Sequence, residues 1–259
     1  MSAAALSRKN AHVVTHWIIG DIHGCARELE LLLQRLRLAP ADRLISVGDL
    51  FHRGPDPVGV MDILAAHGAS FVLGNHEHAV LAHCGLAPRR SDGRDRPRFC
   101  ASFPELDEED LAGDGGLACA VAAERRADVV RYLQTHAGYA IESSGLDGAP
   151  TTVDGREWLV VHAGVAADKV ADNSIRTLTS LRRIEAPGRP WWYESYRGPR
   201  LVVFGHTPSR LPRMWRIAEH LVALGLDTGC VYGGSLTAYA PELDEFASIP
   251  ASKAYARTS

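Results

Sequence analysis

The segment Trp17-Ile18-Ile19-Gly20-Asp21-Ile22-His23-Gly24 decides the fold of this chain. Three apolar residues stop at a glycine, and two metal-ligating side chains follow, Asp21 and His23. So short an apolar run predicts a buried strand that delivers both ligands at its C-terminal end. In an extended segment, residues two apart lie on the same side, so Asp21 and His23 can converge on one ion.

The arrangement recurs along the chain. Leu44-Ile45-Ser46-Val47 ends at Gly48-Asp49, and Phe71-Val72-Leu73 ends at Gly74-Asn75-His76-Glu77. Trp158-Leu159-Val160-Val161 ends at His162-Ala163-Gly164, and Leu201-Val202-Val203-Phe204 ends at Gly205-His206-Thr207. Between the first strands, Leu29, Leu32, Leu33 and Leu36 follow the spacing of one helix face, which predicts a helix from about Ala26 to Leu38, stopped by Pro40. Val58 to Ala66 reads as a second helix after the turn Gly54-Pro55-Asp56-Pro57. Three strand-helix units in a row predict an α/β fold with a largely parallel sheet. Such sheets place ligands at strand C-termini, where all five islands lie. Carboxylate, amide and imidazole together suit Mn²⁺, Fe or Zn²⁺ rather than a thiolate-preferring ion.

The remainder is less patterned. From about residue 87 to 116 the chain is first arginine-rich (Arg89 to Arg98) and then acidic, which reads as a surface insertion or as a lid whose arginines reach a polyphosphate. Leu117 to His136 reads as a helix, and Ser174 to Ile184 as another. Val222 to Leu224, Ser235 to Tyr239 and Phe246 to Ile249 read as strands. No linker is visible, so residues 1–259 are expected to form a single domain with a variable insertion at 87–116.

Bulk properties exclude several classes. The chain has 259 residues, 46% hydrophobic and 23% charged, and a formal net charge of -3. A generic affinity for nucleic acid or anionic membranes is therefore not expected, and an anionic substrate must be held by local cations and a few arginines. No stretch approaches the ~20 apolar residues of a membrane span. The five cysteines are scattered without a C-x-x-C pair, which predicts a reducing, cytoplasmic setting.

Taken in order, the five islands resemble the calcineurin-like metallophosphoesterases, in the phosphoprotein-phosphatase branch. Within it, Leu226-Asp227-Thr228-Gly229-Cys230-Val231-Tyr232-Gly233-Gly234 and Val202 to Pro208 are similar to bacterial diadenosine tetraphosphatases and to the phosphatase module of bacterial RNA-repair enzymes. The resemblance spans about residues 17–86 and 158–250. It implies a sandwich of two mixed β-sheets flanked by helices, with a dinuclear site at the strand C-termini. It further implies that Asp21 and His23 hold a first metal, that Asp49 bridges, and that Asn75, His162 and His206 hold the second. The expected cofactor is a pair of divalent cations, with Mn²⁺ favoured and Fe, Zn²⁺, Ni²⁺ or Co²⁺ also suited. Arg53 would clamp phosphate, with Arg197 as a further clamp candidate, and His76 would act as general acid toward the leaving oxygen. A water activated between the cations would attack the phosphorus.

Three departures from the protein phosphatases bear on the substrate. His52 stands where they place an aspartate that orients the general acid, and here a neutral imidazole is expected to hydrogen-bond His76 instead. Leu73 stands where they place an arginine, and His162-Ala163-Gly164 replaces their H-G-G. Diadenosine tetraphosphatases also lack the acid. The expected activity is hydrolysis of a phosphate ester or anhydride, foremost a dinucleoside polyphosphate such as diadenosine tetraphosphate. The alternatives are a Ser/Thr phosphoprotein phosphatase and, more remotely, a metal-binding module that does not turn over.

Overall fold

The computed structural model describes residues 14–90, 121–136 and 138–257. The first unit is β1 (His16–Ile19), α1 (Ala26–Leu36), β2 (Arg43–Ser46), α2 (Pro57–Ala66), β3 (Ser70–Phe71) and α3 (Asn75–His83). Then come α4 (Ala123–Thr135), β4 (Ala140–Glu142), β5 (Trp158–Val161), the short helices α5 (Ile175–Ser180) and α6 (Trp192–Ser195), and β6 (Leu201–Phe204). Strands β7 (Arg213–Ile217), β8 (His220–Gly225), β9 (Ser235–Ala240) and β10 (Glu245–Pro250) close the chain.

The strands form two five-stranded sheets, ordered β10-β9-β1-β2-β3 and β4-β5-β6-β8-β7. Strands β1, β2 and β3 run parallel, as do β5, β6 and β8, while the outer strands β9, β10, β4 and β7 pair antiparallel. The sheets are thus mixed, with parallel centres and antiparallel margins. This is the two-sheet sandwich flanked by helices that the resemblance implied.

The uniformly apolar strands follow from this arrangement. Every residue of β1, β5 and β6 is buried, because each strand is covered on both faces. Ile18, Ile45, Val47, Trp158, Val160, Val203 and Leu224 fill the space between the sheets. Their alternates, including Trp17, Ile19, Leu44, Leu159, Val161 and Val202, face the helical layer with Leu29, Leu32 and Leu36.

Local chemistry sets the element ends. Helix α1 stops at Arg37, which turns left-handed (φ 49°) with its N–H on the Leu33 carbonyl, three residues before Pro40. The expected proline stop is thus pre-empted by a left-handed cap. Helix α2 starts where the Asp56 carboxylate accepts the Gly59 N–H at 2.8 Å, with Pro57 at its first position. The third strand is shorter than its apolar run, although the Val72 N–H still reaches the Ser46 carbonyl at 3.1 Å. The helices expected at Leu117–His136 and Ser174–Ile184 are the shorter α4 and α5. Most of the 87–116 insertion, and residues 117–120, lie outside the described residues.

At the chain's far end, Glu28 on α1 accepts the Ser252 N–H at 2.9 Å and the Tyr255 hydroxyl at 2.9 Å, which draws the C-terminal segment across α1. That segment continues onto the Val231 carbonyl, which accepts the Tyr255 and Ala256 N–H groups.

Trp158 is wholly buried at the centre of the inter-sheet core. Trp158→Ala is expected to destabilise the protein by about 3–5 kcal/mol, measured by denaturant unfolding. A loss below about 1 kcal/mol would show that the sheets do not pack as described.

Candidate metal centre

The ends of parallel strands from both sheets meet at one rim of the sandwich. Asp21 and His23 follow β1, Asp49 follows β2, His162 follows β5, His206 follows β6 and Asp227 follows β8. Asn75, His76 and Glu77 occupy the first turn of α3. The side chains gather around a cavity of about 130 Å³ lined by His23, Asp49, Asn75, His76, His206 and Asp227, among others. Asp21 and His162 are also buried at this rim.

Backbone strain concentrates here. His23, Asp49, Arg53 and His206 all have positive φ, at 49°, 52°, 75° and 67°. Such conformations cost non-glycine residues ~1–3 kcal/mol each and persist only when neighbours hold them. The holding contacts are visible. The Asp49 N–H donates to Glu77 Oε2 at 2.9 Å, and the His206 N–H donates to both oxygens of Asp21 at 3.0 and 3.2 Å. The Ile22 and His23 N–H groups both donate to the Asp49 carbonyl, at 3.2 and 2.8 Å. His23 therefore sits in a turn rather than in the extended segment expected, and Asp21 and His23 converge through that turn. Two glycines are demanded by close approach. A Cβ on Gly205 would overlap Asp21 Oδ1, and one on Gly74 would overlap Asp49 Oδ1.

Two sets of ligand atoms result, each with all members within 4.8 Å of one another. One is Asp21, His23 and Asp49, and the other is Asp49, His162 and His206. Asp49 belongs to both. Its Oδ2 lies 3.6 Å from His23 Nε2, and its Oδ1 lies 3.4 Å from His162 Nε2. Asn75 Oδ1 joins the second set, 3.2 Å from His162 Nε2 and 3.0 Å from His206 Nδ1. The His162 Nδ1–H donates to the Val47 carbonyl at 2.8 Å, which turns Nε2 toward the centre.

Two of the three clustered ligand histidines are ready for a cation, and the third, His162, must first give up a proton. Burial pushes His23 and His206 down to about 3, so both present neutral imidazole. Burial, then repulsion from Asp227, raises Asp21 well above the ordinary carboxylate range. Asp49 is held well below that range, because attraction and hydrogen bonding from His162 outweigh burial. Burial opposes a charge on His162, but Asp49 and Asp21 overcome it and raise the imidazole to about 10. Burial and Asp49 push Glu77 up to about 7, and burial pushes Asp227 up to about 6. Crowded carboxylates with neutral imidazoles beside them are a donor set suited to hard and borderline divalent cations.

Around the ligands, His76 Nε2 lies 4.0 Å from Asp49 Oδ2. Arg53 Nη1 lies 3.3 Å from His23 Nε2. His52 does not make the hydrogen bond expected of it. Its ring lies against that of His76, with centroids 4.5 Å apart at 34°, and its buried Nδ1 has no partner. Burial and His76 push His52 down to about 3, so it stays neutral.

Arg197 is corrected. It does not line this cavity, because its guanidinium donates to the Glu194 and Tyr196 carbonyls beside another cavity. The arginine that does line the metal cavity is Arg182, whose Nη2 donates to the His206 carbonyl at 3.3 Å. It follows α5 outside any motif, and the sequence offered no signal for it. Tyr232 and Asp227 also line the cavity, from the stretch Leu226 to Gly234 that carried the narrower resemblance. Trp192 and Tyr193 are buried and pack on Phe204. His78, half-buried, bonds the Tyr139 hydroxyl at 2.7 Å, outside the centre. Cys25 and Cys230 are buried.

A family model described as calcineurin-like phosphoesterase matches residues 15–244. The chain belongs to that family. It is accordingly a metallophosphoesterase, a hydrolase of phosphoric esters or anhydrides from a family that uses a dinuclear divalent site. It is 29% identical to a bis(5'-nucleosyl)-tetraphosphatase PrpE, asymmetrical, of Anoxybacillus flavithermus, over 92% of this chain and 95% of that protein. It is 32% identical to a symmetrical bis(5'-nucleosyl)-tetraphosphatase of Chromohalobacter salexigens, over 86% and 93%. A crystal structure described provisionally as a diadenosine tetraphosphatase superposes with a TM-score of 0.67 at 28% identity, covering 92% of this chain and 94% of that one. The metallophosphoesterase of Sphaerobacter thermophilus shares the fold, with a TM-score of 0.53 at 16% identity.

Two outcomes follow for this centre. In the metal-free protein, Glu77 and Asp227 carry folded-state values above their ordinary ones, so the folded state binds extra protons between about pH 4 and 7. His162 extends the same trend from its ordinary value to about 10. Below about pH 6.5 the depressed His23, His52 and His206 oppose this, so metal-free stability falls with rising pH above about 6.5, where His162 governs, and cations that displace the protons restore it. The gain in Tm on adding Mn²⁺ should be larger at about pH 8 than at about pH 5.5, and equal gains would refute this. Separately, Glu77→Gln should weaken Mn²⁺ binding about 10–100-fold, read by calorimetry, because an NH₂ group would then face backbone N–H donors.

Proposed function

We propose that this metallophosphoesterase hydrolyses dinucleoside polyphosphates such as diadenosine tetraphosphate. The observation that carries the reading is a site with two ligand sets sharing Asp49, in a chain whose full-length relatives are named for that activity. In this reading Asp21, His23 and Asp49 hold one divalent ion, and Asp49, Asn75, His162 and His206 the other. The favoured ion is Mn²⁺. When bound, such a pair supplies Lewis acidity toward water and toward phosphoryl oxygens.

The chain's own residues do the rest. Arg53 and Arg182 both line the cavity that contains Asp49. They neutralise non-bridging phosphate oxygens as charge builds there. His76, beside Asp49, gives a proton to the leaving phosphate oxygen. His52 packs against the His76 ring and adds no negative charge, so it fixes the ring's position without raising its basicity. Leu73 leaves the α3 side without the arginine of protein phosphatases. That gap is in keeping with a linear polyphosphate rather than a phosphoprotein. Among the described residues no helix is long and apolar enough to cross a membrane, and we place the enzyme in the cytoplasm with a nucleotide substrate.

A substrate panel with Mn²⁺ tests the reading. Diadenosine tetraphosphate should be cleaved with a higher kcat/KM than phosphopeptides, and the opposite order would replace this reading with a phosphoprotein phosphatase. ADP alone means symmetric cleavage, and ATP plus AMP asymmetric cleavage. His76→Gln should lower kcat about 10²–10⁴-fold. Arg182→Ala should lower kcat/KM at least about tenfold, while Arg197→Ala stays within about twofold.

A further inference from the structure

We propose that a second cavity, beside the metal centre and walled by Leu211, Met214 and Phe246, holds one nucleoside end of the substrate. The proposal deepens the dinucleoside polyphosphate reading and rests on it. Scattered exposed apolar residues are ordinary, but their clustering at one concavity is not. Of the six large apolar side chains exposed among the described residues, three line this one cavity: Leu211 at 75% exposure, Met214 at 51% and Phe246 at 41%. Its volume is about 300 Å³, the size of a small-molecule subsite and too small for a protein segment.

Its polar lining suits a nucleoside. Thr228, Thr237 and Ser248 form a ladder of hydroxyls, with Thr228 Oγ1 2.7 Å from Thr237 Oγ1, and that atom 3.0 Å from Ser248 Oγ. Thr228 donates to the Ser235 carbonyl at 2.6 Å and both threonines are buried, so the ladder anchors the exposed Ser248 hydroxyl, which can donate to or accept from a base or ribose. Phe246 and Met214 supply apolar and polarisable contact for a base face. Arg210 lines the same cavity and can neutralise a phosphate on the way to it.

The two cavities are one loop apart. Pro208 lines the metal cavity and Arg210 this one; Asp227 lines the metal cavity and Thr228 this one. The Ser209 N–H on the Asp227 carbonyl, at 3.0 Å, ties the two loops together. Pro208 and Arg210 are two residues apart, at most ~7 Å along the chain, so the walls of the two cavities share one short loop.

The test uses Met214→Ser and Phe246→Ala, from different sheets and both partly exposed, in the full chain with Mn²⁺. For diadenosine tetraphosphate, KM should rise about tenfold, while kcat/KM for para-nitrophenyl phosphate stays within about twofold. AMP should inhibit para-nitrophenyl phosphate hydrolysis more strongly than ribose 5-phosphate, and both variants should close that gap. Equal losses on both substrates, or no gap between the two inhibitors, would overturn the subsite. A wild-type enzyme that shows the gap but leaves diadenosine tetraphosphate intact would overturn the substrate reading and keep the nucleoside site.

Discussion

Glu77 accepts the backbone N–H groups of Asp49, Leu50 and Gly74, at 2.9, 2.8 and 3.0 Å, and the rest of the centre depends on that clamp. It fixes the loop after β2 to the start of α3, and so fixes Asp49 relative to Asn75 and His76. Asp49 then fixes the loop after β1, because its own carbonyl takes the Ile22 and His23 N–H groups. Asp21 closes the circle by holding the His206 N–H across the gap between the sheets. Two buried carboxylates and one backbone carbonyl, all accepting backbone N–H groups, thus join four loops from two sheets. Buried charge without partners is costly, so each of these acids must be satisfied from the backbone or from a cation.

The electrostatics express the same economy of partners. Asp21 and Asp49 lie in one small volume, yet burial and Asp227 push the first up while His162 holds the second down. Asp49 can be ionised without a metal because a protonated His162 stands beside it. Asp21 also feels His162, but burial and Asp227 outweigh that attraction and the His206 N–H that it accepts. A centre arranged this way exchanges protons for cations.

Much of this was legible from the chain. A strand covered on both faces must be apolar throughout, and a ligand at its end stands out against that run, so Asp21, Asp49, His162 and His206 could be read directly. Helix α3 could not, because Asn75, His76, Glu77 and His78 fill its first turn and erase the apolar stripe. Strand β7 was missed because Arg213 and Arg216 interrupt its alternation at the sheet margin. Arg182 was invisible for a different reason: it reaches the cavity through chain folding after a short helix, with no glycine or strand end to mark it. Arg197, a clamp candidate before Gly198-Pro199, has its side chain occupied by carbonyls instead. The hydrogen bond expected from His52 to His76 is not made: the two rings lie tilted against each other, and the buried His52 Nδ1 has no partner.

The C-terminal segment has a consequence that its distance in sequence conceals. Glu28 holds Ser252 and Tyr255, and Val231 holds Tyr255 and Ala256, one residue from Tyr232 in the wall of the metal cavity. The tail is therefore a brace behind the catalytic rim rather than a loose end. Shortening the chain into residues 252–256 would loosen a wall of the reaction chamber that no motif in them announces.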